Sequence, residues 1–226
     1  MTRTMFDQAL LDLEARIMAL GSAVAENLQH AVCALLQHNE TMARRVVRGD
    51  REINRTQVSI EEDSLTLIAR QAPAARDLRF IASVMAIAGE LERINDYAKG
   101  IANISLGLGA QPLLPPAAGF TPMAEKAADM LLQALRAFLR EDLDAAKRVY
   151  AEDDEVDRMY NEIYQQLIRL IAKDSSTMDQ ATHLLWAVHN LERTGDRICN
   201  ICERTIFRVT GEMVDTPTEV AEAKAP

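Results

Sequence analysis

A chain of 226 residues, 48% of them apolar, can build one large domain or two of about 100 residues, each with its own core. Aromatics make up only 4%, and nine glycines and seven prolines are too few for a turn-rich all-β protein, so the composition points to helix. A formal charge of −9 excludes a general nucleic-acid binder, which needs a cationic footprint, and three cysteines are too few for a disulfide framework.

The start, Met1 to Met5, lacks the apolar core of a signal peptide. Residues 5–38 read as a first helix. Leu10, Leu13, Ile17, Leu20, Val24, Leu28, Ala31 and Leu35 recur at spacings of three and four and make one apolar stripe. Asn39 is an N-cap signal for a second helix to about Gln71, with Val46, Val47, Ile53, Val58, Ile60, Leu65, Leu67 and Ile68 on its buried face. Pro73 interrupts the pattern, and a third helix runs from Ala75 to about Leu106.

Residues 100–124 carry no charge. Pro112, Pro115, Pro116 and Pro122, with Gly107, Gly109 and Gly119, prevent that stretch from forming a membrane span and make residues 107–122 a linker. Thr121-Pro122 resembles an N-cap followed by proline at the first helical position, opening a fourth helix to about Arg140. Asp142 or Asp144 opens a fifth, to about Lys173. Ser176 with Asp179 resembles an acidic capping box for a sixth, to about Val209, and Gly211 is its stop. Residues 211–226 read as a disordered acidic tail.

The halves repeat one another. At an offset of 103, Arg45-Val46-Val47 matches Arg148-Val149-Tyr150, and Leu67-Ile68-Ala69-Arg70 matches Leu170-Ile171-Ala172-Lys173. At an offset of 100, Leu91-Glu92-Arg93 matches Leu191-Glu192-Arg193. The expected architecture is all-α: six long helices in two tandem three-helix bundles, residues 5–106 and 123–210.

Glu92 and Asp96, like Glu192 and Asp196, are four apart and share a helix face. The second helix of each half offers a matching pair, Asp50 with Asn54 and Asp153 with Asp157. Antiparallel neighbours would bring the pairs together. Hard oxygen donors of this kind suit iron, manganese, magnesium or calcium. The spacing alone is weak, because chance placement of 34 acidic residues gives about five such pairs, and a solvated acidic face explains them equally well. Their placement at equivalent repeat positions is what favours a site. Cys199-Asn200-Ile201-Cys202 lies within a helix and reads as core, and no His completes a Glu-x-x-His pattern. Arg44-Arg45 and Lys147-Arg148 read as solvated.

The duplicated Leu-Glu-Arg-x-x-Asp helix, with the turns Gly49-Asp50-x-x-Ile53-Asn54 and Glu152-Asp153-x-x-Val156-Asp157, resembles the PhoU family over residues 5–210. The resemblance implies a cytoplasmic, non-enzymatic negative regulator of phosphate-specific transport and of the phosphate-starvation response. Its implied partners are the ATPase subunit of the phosphate ABC transporter and a phosphate-sensing membrane histidine kinase. It implies a homodimer that meets the membrane through those partners only, and no nucleic acid. It also implies iron or zinc at Glu/Asp-x-x-x-Asp motifs, with manganese or magnesium open. Glu92/Asp96, Glu192/Asp196 and Asp153/Asp157 fit that motif, while Asp50/Asn54 departs from it by an amide. A metal-storage or metal-dependent bundle enzyme is the alternative class.

Overall fold

The computed structural model describes residues 3–214 and 217–223. Eight helices account for nearly all of them: α1 (Arg3–Leu36), α2 (Glu40–Gln71), α3 (Ala75–Leu108), α4 (Phe120–Arg140), α5 (Leu143–Ala151), α6 (Asp153–Lys173), α7 (Met178–Thr210) and α8 (Pro217–Glu222). Short 3-10 turns precede α4 and α7, and there is no strand among the described residues. The two halves do repeat as bundles, α1–α3 and α4–α7.

The turn between the first two helices of each half shows how local chemistry sets the repeat. His38 and Glu141, 103 residues apart, both take left-handed backbone, at φ 53 and φ 55. The next residue caps the following helix in both halves. Asn39 Oδ1 accepts from the Met42 N–H at 3.0 Å, and Asp142 Oδ1 accepts from the Ala145 N–H at 2.9 Å. A left-handed residue ends one helix and a side-chain oxygen satisfies the orphan donors of the next.

The repeat extends to the core. Leu91 and Leu191 are fully buried, as are Ile94, Ile101, Ile198 and Ile201. Each such side chain contributes roughly 1.5–3 kcal/mol by leaving water. One continuous core runs through both halves, because α3 packs along α7 and α1 along α4. Gly21 permits the second contact: a Cβ there would strike the Leu135 side chain. The buried Arg208 guanidinium lies beside the stacked pair of Phe80 and Phe138, over both rings, 4.5 and 4.8 Å from their centroids. It donates to the Phe138 carbonyl at 2.7 Å and pairs with Glu141 at 3.1 Å.

Several expectations need correction. The fifth helix is two helices, α5 and α6, broken at Glu152. Asp153, Asp154 and Glu155 fill the first turn of α6, where the helix dipole favours negative charge, and Lys126 holds Glu152 and Glu155 at 2.7 and 3.0 Å. Thr121 lies inside α4, which starts at Phe120. Ser176 does not cap α7; the Asp174 side chain caps the preceding turn, accepting from the Ser176 N–H. Val58 and Leu65 are exposed, because the buried stripe of α2 is Val46, Ile53, Ile60 and Leu67, at intervals of seven. The connecting segment, 109–119, is pinned to α7: Gln180 accepts from the Leu114 N–H and donates to the Pro112 carbonyl. The tail is not wholly irregular either. Val220 of α8 is buried with Ile206 and Val214, and Lys147, expected to be solvated, donates to the Ala221 and Ala223 carbonyls. Residues 215, 216 and 224–226 lie outside the described residues.

Candidate functional site

The antiparallel pairing of α2 with α3, and of α5–α6 with α7, gathers the eight carboxylate-motif residues into two sets of four. In the first half, α2 supplies Asp50 and Asn54, and α3 supplies Glu92 and Asp96. Asp50 is buried and fully engaged. Its Oδ1 accepts from Asn95 Nδ2 at 3.0 Å, and its Oδ2 accepts from Lys99 Nζ at 2.7 Å. Lys99 also reaches Asp96 at 3.4 Å, so one ammonium stands between carboxylates from both helices. The Asp50 bond raises the Lys99 pKa, fixing the charge. Asn95 in turn accepts from Asn27 on α1 at 2.9 Å. Asn54 Oδ1 is buried without a hydrogen-bond partner. Burial and the neighbouring Asp96 raise the Glu92 pKa.

The second half keeps the acids and loses the cation. Asp153 and Asp157 come from the start of α6, Glu192 and Asp196 from α7. The positions equivalent to Asn95 and Lys99 are Gly195 and Cys199. Gly195 leaves room for the Asp153 carboxylate, which a Cβ there would displace. Cys199 carries no charge: burial, then Asp153 beside it, push its thiol pKa far up, and its Sγ faces the Tyr150 carbonyl at 3.8 Å. With neither an amide nor an ammonium there, Asp153 Oδ1 is buried with no hydrogen-bond partner, and Glu192 Oε2 is likewise unpartnered. His189 Nδ1 lies 3.2 Å from Glu192 Oε2 but out of line for a bond.

The electrostatics follow from that lack of compensation. Burial first, then Asp157, push the Asp153 pKa to about 6. Burial and Asp196 raise both Asp157 and Glu192. Asp196 pairs with Arg193 at 2.8 Å, and Glu192 stands 3.2 Å from His189. Three acids of this set, Asp153, Asp157 and Asp196, line a cavity of about 770 Å³ together with Lys147, Cys199 and Val220 of α8. Among the described residues, no three His, Cys, Asp or Glu side chains already stand close enough to hold a metal ion, so ligation would require these carboxylates to close in.

The donor chemistry fits a hard cation in the second set: four oxygen-bearing groups on facing helices, two of them with orphaned buried oxygens. It fits poorly in the first set, where Lys99 already occupies the electrostatic role. Sequence reasoning did not connect Lys99, Asn95 or Gly195 with the acids, and it read Cys199 only as a core thiol. The repeat itself carried the signal, because aligning the halves at an offset of 100 sets a lysine opposite a cysteine inside otherwise matching acidic motifs.

The model of the PhoU domain matches this chain twice, over residues 17–105 and 120–205, which are the two bundles just described. The chain belongs to the PhoU family. It is 34% identical over 211 residues to the phosphate-specific transport system accessory protein PhoU of Edwardsiella tarda, covering 93% of this chain and 87% of that one. It is 33% identical over 207 residues to the protein of the same name from Escherichia coli strain K12, covering 92% and 86%. The crystal structure of the phosphate transport system regulatory protein PhoU from Streptococcus pneumoniae superposes with a TM-score of 0.86 at 33% identity, covering 93% of this chain and all of that one. The crystal structure of PhoU from Pseudomonas aeruginosa gives 0.87 at 32% identity, covering 92% and 100%. The PhoU fold thus extends through both repeats and the seam between them. No described helix is long and apolar enough to cross a membrane.

Proposed function

We propose that this chain is an accessory regulator of phosphate-specific transport that restrains the transporter and the phosphate-starvation response when phosphate is plentiful. The observation that carries the reading is the double PhoU-domain match, in register with the two bundles and at full-length similarity to named accessory proteins. It works in the cytoplasm by protein contact, with the ATPase subunit of the phosphate ABC transporter and a phosphate-sensing histidine kinase as partners, and it reaches the membrane only through them. It assembles as a homodimer. It is not an enzyme, and the carboxylate sets hold and orient rather than catalyse. The acidic balance of −9 suits basic patches on such partners. Deleting the gene is expected to leave a phosphate-starvation reporter switched on in high phosphate; normal repression in the deletion strain contradicts the regulator reading.

The metal reading is confined mainly to the second bundle. Asp153, Asp157, Glu192 and Asp196 would hold a di- or trivalent ion, iron or zinc by family resemblance, with manganese or magnesium open because every donor is oxygen. A bound cation supplies charge neutralisation and ties α6 to α7. Asp50, Asn54, Glu92 and Asp96 are a weaker copy, because Lys99 already neutralises Asp50 and Asp96 and Asn54 offers an amide in place of a carboxylate.

A further inference from the structure

The second acid set has a cover built from the chain's own C-terminal segment. Gly211 ends α7 in left-handed backbone, at φ 84, and the chain then folds back. Val214, and Val220 of α8, pack with Ile206 of α7 in a small apolar cluster, with Leu143 and Tyr150 against it. Lys147 of α5 donates to the Ala221 carbonyl at 2.9 Å and also to the Ala223 carbonyl, so its ammonium serves the otherwise orphaned acceptors at the end of α8. These contacts put Val220 and Ala221 into the wall of the cavity of about 770 Å³ that Asp153, Asp157 and Asp196 line. Cys199 belongs to the same wall and is 8% exposed.

The first half offers no seat for such a segment. At the repeat offset of 103, Leu143 and Lys147 correspond to Glu40 and Arg44. Arg44 is paired with Glu40 on its own helix at 2.7 Å, so an apolar contact and a reaching lysine are replaced by a self-contained ion pair. The chain beyond α3 is held by Gln180 of α7 instead. The match to the PhoU domain ends at residue 205, so α8 is an addition to the repeat and not a part of it. A helix of six residues does not hold its shape alone in water, and α8 is therefore helical only while docked. Val220 is its anchor and Lys147 its latch. So small a contact opens far more often than the main core does, because little apolar surface is at stake. Each opening takes Val220 and Ala221 out of the cavity wall.

We propose that α8 is a detachable strap that closes the cavity of the second acid set, and that its undocking sets how fast solutes, a cation among them, reach and leave that cavity. The cation part rests on the metal reading given above, whereas the closure stands on the contacts of Val220 and Lys147 alone.

The test uses the whole protein carrying Cys33→Ser, which leaves Cys199 and Cys202 as its thiols. In metal-free protein the probe is methylmercury chloride, followed by mass spectrometry, and a Cys199→Ala control assigns the signal. Deleting residues 212–226, and separately Val220→Ser in the full chain, should each speed the labelling of Cys199 roughly tenfold, with a smaller gain for Lys147→Met. Arg44→Met, the matched change on the first half, should leave the rate unchanged. Release of bound manganese into excess chelator should quicken in the same order. Melting followed by circular dichroism reports that each variant is folded, since the main core does not include α8. Labelling of Cys199 at the parent rate in both the deletion and Val220→Ser overturns the proposal. So does manganese release that stays at the parent rate in the deletion. Faster labelling in protein that binds no manganese upholds the closure and removes only the metal reading.

Discussion

The two carboxylate sets occupy equivalent places in two copies of one bundle, yet their electrostatics are opposite. In the first, Asp50 is buried against Asn95 and the Lys99 ammonium, and the neutralising charge is part of the chain. In the second, Gly195 and Cys199 replace those partners, and buried oxygens of Asp153 and Glu192 are left without a donor. Duplication supplied one scaffold, and two substitutions on the third helix of the repeat decide whether its acidic pocket is closed by a lysine or open to an external cation. A buried, unpartnered carboxylate is costly unless it is neutralised by a proton or an ion. The second set is poised between those two.

The comparison breaks first at Lys99. Replacing Lys99 with Met strands the buried Asp50 charge and is expected to cost about 2–4 kcal/mol, read as a drop in the urea midpoint. The matched change Cys199→Ala removes a small buried side chain and should cost about 1 kcal/mol or less. Equal losses at the two positions would mean that Lys99 does not neutralise the first set.

A smaller effect separates the halves by pH. Asp153 holds its proton up to about pH 6 in the fold, against an ordinary value of 3.8. The folded chain therefore binds more protons than the unfolded one between those values. This group's contribution to stability is fully present below about pH 4 and is lost as pH rises through about 6. Because the site is partly open to solvent, the loss is discounted to about 1–2 kcal/mol. Asp153→Asn should remove that slope from the stability–pH profile of metal-free protein, and an unchanged slope would place the titration elsewhere.

Much of this was legible in the sequence, and the part that was not has a common cause. The repeat, the cap at Asn39, the apolar stripe of the first helix and the gathering of four acidic motifs follow from spacing and periodicity, which are local. The break at Glu152 was missed because nothing in the local sequence marks it; the contacts that hold the two ends there come from Lys126, on another helix. The burial of Val220 depends on the surface of α5 and α7, to which the tail sequence gives no clue. The role of Lys99 is also a contact across helices, with Asp50 some fifty residues away. Individual acidic pairs looked like chance until their neighbours were compared between repeats. What a carboxylate does in this fold is set less by its own motif than by the residue one turn further along α3 or α7.

The central claim is that the second set takes a metal cation while the first is neutralised from within. Manganese-dependent stabilisation of melting at neutral pH, measured on metal-free protein, tests it most directly when two double variants are compared: Glu192→Gln with Asp196→Asn, and Glu92→Gln with Asp96→Asn. The account predicts that manganese raises the melting temperature of the wild type, that the second-half variant loses this response, and that the first-half variant keeps most of it. A wild type indifferent to manganese, or a response abolished by the first-half variant and retained by the second-half one, would contradict it.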